Sequence, residues 1–206
     1  IVGFTIKDAT TGISIGSDEE LMVRDCYITD TNYPIEVYAN NDIYLSNITF
    51  GLNGLQAVKM NGENVGYSNS SETIIWNIDD LVINPEGDIN IYASNDNSFS
   101  TLKITGSGAI AFSENKVLRI GSNNSQQRGL IQATGVTFTA LDTSVGWSGI
   151  YFEDYADGRS FIDSCIIENA TDGIYSNSSS PTIRNSTIRN NTDGIHADSG
   201  SQPTIT

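Results

Sequence analysis

Aliphatic residues recur in this chain at a nearly constant interval of ~21–22 residues, which lies in the range of solenoid repeats. Ile1, Val23 and Leu45 begin three equally spaced copies, and Ile162 and Ile183 begin two more at nearly the same spacing. Within a copy, apolar or small residues follow after three and five positions, Asp or Asn after seven, and an aliphatic residue after twelve. Such a period predicts a solenoid, because one unit cannot bury its apolar edge alone and is covered by its neighbours.

The middle of the chain carries its own version of the period. Gly87, Gly108 and Gly129 are equally spaced at nearly the same interval, and Leu-x-Ile triplets begin at Leu81 and Leu102. We therefore predict that these triplets stack on one another and that the three glycines occupy equivalent turns.

The pattern predicts an all-β fold, a right-handed parallel β-helix (β-solenoid) of about nine coils of ~21–22 residues. Short strands alternate with turns, and aliphatic residues such as Ile13 and Ile35, or Ile174 and Ile195, are vertical neighbours. The Asp or Asn at the seventh place is interpreted as a turn residue.

The whole chain, residues 1–206, is predicted to form a single domain. Gly54 and Gly87 are separated by clearly more than one repeat interval. The polar run at 61–72 is therefore interpreted as a protruding loop or as a soft internal boundary.

Several segments resemble repeats of the pectin-lyase-like superfamily of right-handed parallel β-helices. They are Gly149–Phe152 (Gly-Ile-Tyr-Phe), Gly173–Ser176 (Gly-Ile-Tyr-Ser) and Pro181–Asn190 (Pro-Thr-Ile-Arg-Asn-Ser-Thr-Ile-Arg-Asn). The resemblance covers nearly the whole chain and is typical of secreted and cell-surface proteins. It implies a fold, without implying an activity.

Charge and composition restrict the partners of the chain. The formal net charge is -15 with only 10 Lys and Arg, so clustered cations for nucleic-acid phosphates are lacking. No apolar run approaches the ~20 residues of a membrane-spanning helix. Cys26 and Cys165 are predicted to lie several coils apart as buried, unpaired thiols.

Seven Asn-x-Ser/Thr sequons suggest an extracellular or cell-surface glycoprotein. The possible glycosylation sites are Asn47, Asn69, Asn123, Asn169, Asn177, Asn185 and Asn190.

One segment resembles a catalytic motif. Asn191-Thr-Asp193-Gly-Ile-His196 is similar to the Asn-Thr-Asp motif of polygalacturonases, in which the Asp serves in inverting hydrolysis. The preceding copy has Thr-Asp172-Gly-Ile in the same register, and the later acidic, Gly-His-Gly and basic motifs of that family are missing. We therefore interpret Asp193 as a turn residue and His196 as an outward residue equivalent to Tyr175. No catalytic, cofactor-binding or metal-ligating residue is assigned.

Two further groups of residues each have two interpretations. Glu153, Asp154 and Asp157 offer oxygen ligands to calcium, or form an exposed acidic loop. Lyases of this fold use a basic residue beside such carboxylates, for which Arg159, Arg184 and Arg189 are unspecific candidates. The second group is aromatic and would either line a sugar-binding face or consist of ordinary strand residues. Its members are Trp147, Tyr151, Tyr155 and Tyr175.

Three functions follow as hypotheses. The first is a non-enzymatic extracellular structural or cell-surface β-solenoid. Its uncapped first and last coils, at Ile1 and Pro203–Thr206, would associate with flanking coils or with copies of the chain into a head-to-tail filament, sheath or surface layer. The second is a carbohydrate-active enzyme, either a polysaccharide lyase or a glycoside hydrolase, or a fragment of one. The third is a glycan-binding module, with polysaccharide as the partner.

Overall fold

The computed structural model describes residues 1–62, 64–95, 97–123 and 127–206. All regular secondary structure in this described part is β-strand, and no helix in it is long and apolar enough to cross a membrane. The strands are β1 (Thr5–Ser14), β2 (Glu20–Tyr38), β3 (Asp42–Phe50), β4 (Val58–Asn61), β5 (Asn64–Val65), β6 (Glu72–Ile78), β7 (Val82–Pro85), β8 (Ile89–Ile91), β9 (Phe99–Thr105), β10 (Ala109–Phe112), β11 (Val117–Ile120), β12 (Arg128–Thr134), β13 (Thr137–Ala140), β14 (Trp147–Phe152), β15 (Phe161–Asp163), β16 (Ile166–Glu168), β17 (Ala170–Asn177), β18 (Thr182–Arg184), β19 (Thr187–Arg189), β20 (Asp193–Asp198) and β21 (Thr204–Ile205).

The strands form a parallel β-helix with three faces. The first face contains the start of β2 followed by β3, β6, β9, β12, β15, β18 and β21. The second contains the end of β2 followed by β4, β7, β10, β13, β16 and β19. The third contains β5, β8, β11, β14, β17 and β20. The strand β1 pairs along β2, so the long β2 joins the first and second faces into one sheet.

The predicted vertical stacking is confirmed at both ends of the chain. Ile13 pairs with Ile35 in the parallel register of β1 and β2, and Ile174 pairs with Ile195 in that of β17 and β20. The all-β solenoid is therefore confirmed. The described residues complete about eight turns, whereas the sequence predicted nine coils.

The predicted register of the middle coils is wrong. Ile104 pairs with Trp76 and Ile110 pairs with Ile83, so these coils are several residues longer than the sequence period. Leu102 consequently lies on the first face, whereas Ile83 lies on the second. The triplets look alike because strands on all three faces alternate inward aliphatic residues, so the sequence comparison matched strands from different faces.

The three glycines of the middle coils are not equivalent either. Gly129 lies in β12 on the first face and pairs with Ser100. Gly108 precedes β10 on the second face, and Gly87 follows β7 there. Their equal spacing therefore does not reflect one repeated turn.

The polar run at 61–72 contains a strand of the third face. Asn64 pairs with Asn90 and Val65 with Ile91, and Val65 is fully buried. Parallel pairing continues across this run, because β6 pairs with β3 and β7 with β4. Glu63 lies outside the described residues. One stack of coils thus runs from the first strands to the last.

The Asp and Asn at the seventh repeat position all have left-handed backbone angles. Asn169 and Asn190 lie between strands as turn residues, as predicted, whereas Asp8 and Asp30 lie within β1 and β2. Asp8, Asp30, Asn169 and Asn190 have φ angles of 58°, 54°, 60° and 56°. This left-handed conformation is tolerated by Asp and Asn better than by other residues with a side chain.

The side chain of Asn191, the residue that follows the turn at Asn190, caps main-chain groups of the preceding coil by hydrogen bonds. Its Oδ1 accepts a hydrogen bond of 2.9 Å from the Ala170 main-chain nitrogen, and its Nδ2 donates to the Ile167 carbonyl at 3.2 Å. One side chain thereby satisfies two main-chain groups in the coil before it.

The core is a continuous column of aliphatic and aromatic side chains. Cys26 and Cys165 are buried in it with free thiols, which confirms their prediction, and burial is the main cause that raises the pKa of Cys165. Trp147 is 1% exposed and stacks on Phe112 with 4.6 Å between ring centroids. Its indole nitrogen donates to the Glu168 carbonyl at 2.9 Å. Trp147 is therefore a core residue and does not line a sugar-binding face.

Candidate ligand-binding face

The third face carries an outward column of polar and aromatic side chains, which we call the third-face ladder. Successive members are Cα partners in neighbouring parallel strands, so their side chains lie above one another. With about 4.8 Å between strands, six rungs extend over ~24 Å. In coil order the rungs are Asn64, Asn90, Arg119, Tyr151, Tyr175 and His196.

Three aromatic rings form one end of the ladder. The Tyr151 and Tyr175 ring centroids are 5.0 Å apart with an angle of 48° between the planes. The His196 ring meets Tyr175 edge to face, with 5.2 Å between centroids. Both tyrosines are half-buried and His196 is exposed, which confirms the predicted outward position of His196. The rings form a continuous, ordered surface at this end.

Asp172 connects two rungs of the aromatic end. The Tyr151 hydroxyl donates to Asp172 Oδ2 at 3.2 Å, and His196 Nδ1 lies 3.4 Å from Asp172 Oδ1. Burial, and then the charge and hydrogen bond of Asp172, raise the pKa of Tyr151 to about 12. Asp193 pairs directly with Asp172 in the next coil and is exposed. Asp193 therefore lies in the strand β20, and its interpretation as a turn residue is wrong.

Gly149 determines how closely β14 approaches Asp172. Its φ is +128°, and a Cβ built on it would lie 1.7 Å from the Asp172 carbonyl oxygen. The register of β14 against β17 shifts between Gly149 and Ile150. Any side chain at this position would separate the two strands, so glycine sets the position of Asp172 beneath Tyr151.

A cleft with a partly buried ion pair lies beside the middle of the ladder. Glu153 is 5% exposed, and its Oε1 is 3.3 Å from Arg119 Nε. Arg119 Nη1 also donates to Asn90 Oδ1 at 3.1 Å, and Asn177 Nδ2 donates to the second Glu153 oxygen at 3.4 Å. The cleft, which Tyr92 also lines, holds donors and acceptors in fixed positions.

The carboxylates proposed as calcium ligands have separate partners. Glu153 faces Arg119, whereas both oxygens of Asp157 accept hydrogen bonds of 2.8 Å from Arg159. Asp154 is exposed. Among the residues that the structure describes, the one set of three ligand groups close enough to share an ion lies elsewhere, at Asp172, Asp193 and His196.

The other arginines proposed for lyase chemistry lie on different faces. Arg184 Nε is 3.0 Å from Asp163, between β15 and β18 on the first face. Arg189 Nε is 2.7 Å from Glu168, between β16 and β19 on the second face. These ion pairs join adjacent coils and do not meet the third-face ladder.

The possible glycosylation sites differ in access. Asn169 and Asn177 are half-buried, and their Nδ2 atoms donate to Thr139 at 3.0 Å and to Glu153 at 3.4 Å. A glycan on either would displace that hydrogen bond. The exposed asparagines are Asn47, Asn69, Asn123, Asn185 and Asn190. The Ser that completes the Asn123 sequon, residue 125, lies outside the described residues.

The sequence analysis did not propose Asn64, Asn90, Arg119 or Asp172 as site residues. Asp172 and Asp193 are separated by one repeat interval, as are Tyr175 and His196, so the period contained a signal for these pairs. Arg119 precedes its partner Tyr151 by clearly more than one interval, so the period gave no signal for it.

The family model for the right-handed β-helix region matches residues 65–206, which is more than half of the chain. The chain belongs to the right-handed β-helix family. This family is commonly found in secreted proteins. Searches of curated proteins and of solved structures returned no significant match. In this β-helix protein the family match includes the ladder from Asn90 to His196.

Proposed function

We propose that this protein is a non-enzymatic extracellular β-helix whose third face binds a neutral glycan. The observation that carries the proposal is the stack of Tyr151, Tyr175 and His196 in three successive coils, with Asp172 beside it. Aromatic rings offer apolar faces to sugar rings, and carboxylates beside them accept hydrogen bonds from hydroxyl groups.

The rigidity of the face supports binding by a preformed surface. The rungs lie on paired parallel strands, and Arg119, Glu153 and Asn177 hold one another through hydrogen bonds. A ligand would therefore meet side chains that are already ordered, which reduces the entropy lost on binding.

The charge of the protein indicates a neutral ligand. The net charge is -15, and the only arginine in the ladder, Arg119, is paired with Glu153. An anionic polysaccharide would be repelled by the overall field, whereas a neutral glycan would use the same carboxylates as hydrogen-bond acceptors.

A glycan array followed by calorimetry with the strongest neutral oligosaccharide tests this proposal. Tyr175→Ala removes the central ring and is expected to weaken binding about tenfold, which corresponds to about 1.4 kcal/mol. Tyr27→Ala is the matched control, because Tyr27 is an exposed tyrosine on the first face. Equal losses for both variants, or binding to anionic glycans alone, would contradict the proposed face.

Analysis of the glycan after incubation tests the non-enzymatic part. We expect the bound oligosaccharide to be recovered with its original chain length. Shortened or unsaturated products would support the alternative of a glycoside hydrolase or a polysaccharide lyase.

The extracellular location and the self-association stay predictions. Membership of a family common in secreted proteins and the exposed sequons support the location. The intact mass of the native protein tests glycosylation. Light scattering tests end-to-end association, for which uniformly monomeric protein at high concentration would be the contrary result.

A further inference from the structure

Three potential metal-ligating side chains from two adjacent coils meet at the aromatic end of the third face. Asp172 lies in β17, and Asp193 and His196 lie in β20. Each offers one ligand atom, and the three atoms all lie within 4.8 Å of one another. This cluster combines an imidazole with two carboxylates.

The distance between two of these atoms is compatible with a shared ion. His196 Nδ1 and Asp172 Oδ1 are 3.4 Å apart. Hydrogen bonds from N–H to oxygen are usually about 2.7–3.2 Å long. In a tetrahedral zinc site with bonds of about 2.0–2.1 Å, neighbouring ligand atoms are about 3.3–3.4 Å apart.

The two carboxylates stand in an otherwise unfavourable arrangement. Asp172 and Asp193 are direct Cα partners in neighbouring strands, where like charges destabilise a sheet. A divalent cation between them would replace this repulsion by attraction to both groups.

A hydrogen bond next to the cluster orients one of the carboxylates. The Tyr151 hydroxyl donates to Asp172 Oδ2, which leaves Oδ1 directed towards His196. Outer hydrogen bonds of this kind fix ligating carboxylates in metal sites. Because Gly149 allows β14 to approach Asp172 closely, the arrangement is built into the strand pairing.

We propose that Asp172, Asp193 and His196 form a binding site for a divalent transition-metal ion of the zinc type. Imidazole and carboxylate together suit zinc and its neighbours, whereas calcium prefers six to eight oxygen ligands. Three protein ligands leave a fourth position for water or for a ligand hydroxyl. This site shares Asp172 and His196 with the proposed glycan-binding face, but zinc binding is measured without glycan, so either proposal can fail while the other holds.

Calorimetry with zinc chloride and the tag-free full chain, after treatment with a chelator, tests the site at pH 7.5. We expect one zinc ion per chain. His196→Ala and Asp172→Asn are each expected to weaken zinc binding at least tenfold, and Tyr151→Phe about tenfold through loss of the outer hydrogen bond. Asp154→Asn is the matched control, because it removes an exposed carboxylate outside the cluster and is expected to bind as the parent does.

Circular dichroism of each variant verifies the fold, and cobalt substitution gives a second readout. The visible spectrum of the cobalt-loaded chain is expected to show tetrahedral coordination that His196→Ala abolishes. Three results would overturn the proposal. They are the absence of zinc binding to the parent chain, zinc binding that neither His196→Ala nor Asp172→Asn weakens, and a preference for calcium over zinc.

Discussion

Replacement of Gly149 by alanine tests whether the third face is built as described. Gly149 has a φ of +128°, and an added Cβ would lie 1.7 Å from the Asp172 carbonyl oxygen and 2.8 Å from its carbon. The backbone strain costs about 1–3 kcal/mol. Relief of the clash by separating β14 from β17 costs about 1–3 kcal/mol more. We therefore expect Gly149→Ala to lower the free energy of unfolding by about 2–6 kcal/mol.

Urea unfolding monitored by circular dichroism measures this change, provided that the free energy of unfolding falls with urea concentration at the same slope for the parent and the variant. Gly158→Ala is the control, because a Cβ there meets nothing within 4 Å and the φ lies outside the left-handed region. Its effect is expected to stay within about 0.5 kcal/mol. If Gly149→Ala were as stable as the control, the close approach of β14 to Asp172 would be refuted.

Three further predictions concern the core, the turns and pH. Trp147 donates a hydrogen bond to a main-chain carbonyl, whereas the Trp76 indole nitrogen is the buried side-chain polar atom without a partner among the described residues. Trp147→Phe should therefore destabilise the protein about 1–2 kcal/mol more than Trp76→Phe in urea unfolding. Asn191→Ala removes two main-chain partners and should cost about 1–3 kcal/mol in the same assay, and a cost below about 0.5 kcal/mol would contradict the cap. The pKa of Tyr151 is raised from 10.0 to about 12, so its stabilising contribution is present below pH 10 and lost as the pH rises towards 12. Asp172→Asn should lower that pKa in an absorbance titration of the phenol in the presence of a chelator, whereas an unchanged titration would contradict the contact.

The fold was predictable because its physical cause is periodic. Aliphatic residues that must cover each other recur at the coil length, and residues with left-handed backbone angles, Asp8, Asp30, Asn169 and Asn190, recur with them. These signals predicted the stacking of the first two coils and of the last two. They did not predict which face each copy occupies.

Identical local patterns on different faces explain that failure. Ile28 and Ile167 both lie five residues after the first residue of their copy of the sequence repeat. Ile28 pairs with Phe50, whereas Ile167 pairs with Phe138 in the column of the second face. The coils in the middle of the chain are longer than the sequence period. The copies of the repeat at the two ends of the chain therefore fall on different faces of the β-helix. Every second residue points inward in strands of all three faces, so this pattern does not indicate which face a strand occupies.

The candidate site was predictable only in its last two coils. The repeat interval places Tyr175 beside His196 and Asp172 beside Asp193. The cleft at Arg119 and Glu153 depends on pairing across a longer coil, which includes loops of irregular length. No local sequence signal sets those lengths, so the pairing required the three-dimensional structure.

Cysteine cross-linking of outward residues tests the register of the β-helix most directly. Lys103 pairs with Ile75 on the first face, whereas the uniform period of the sequence repeat would place it beside Val82. At about 4.8 Å between strands, a short thiol-to-thiol cross-linker joins stacked positions and not positions on different faces. The variant with Ile75→Cys and Lys103→Cys is expected to form the internal cross-link, identified by peptide mass. Efficient cross-linking of Val82→Cys with Lys103→Cys instead would contradict the three-faced stack.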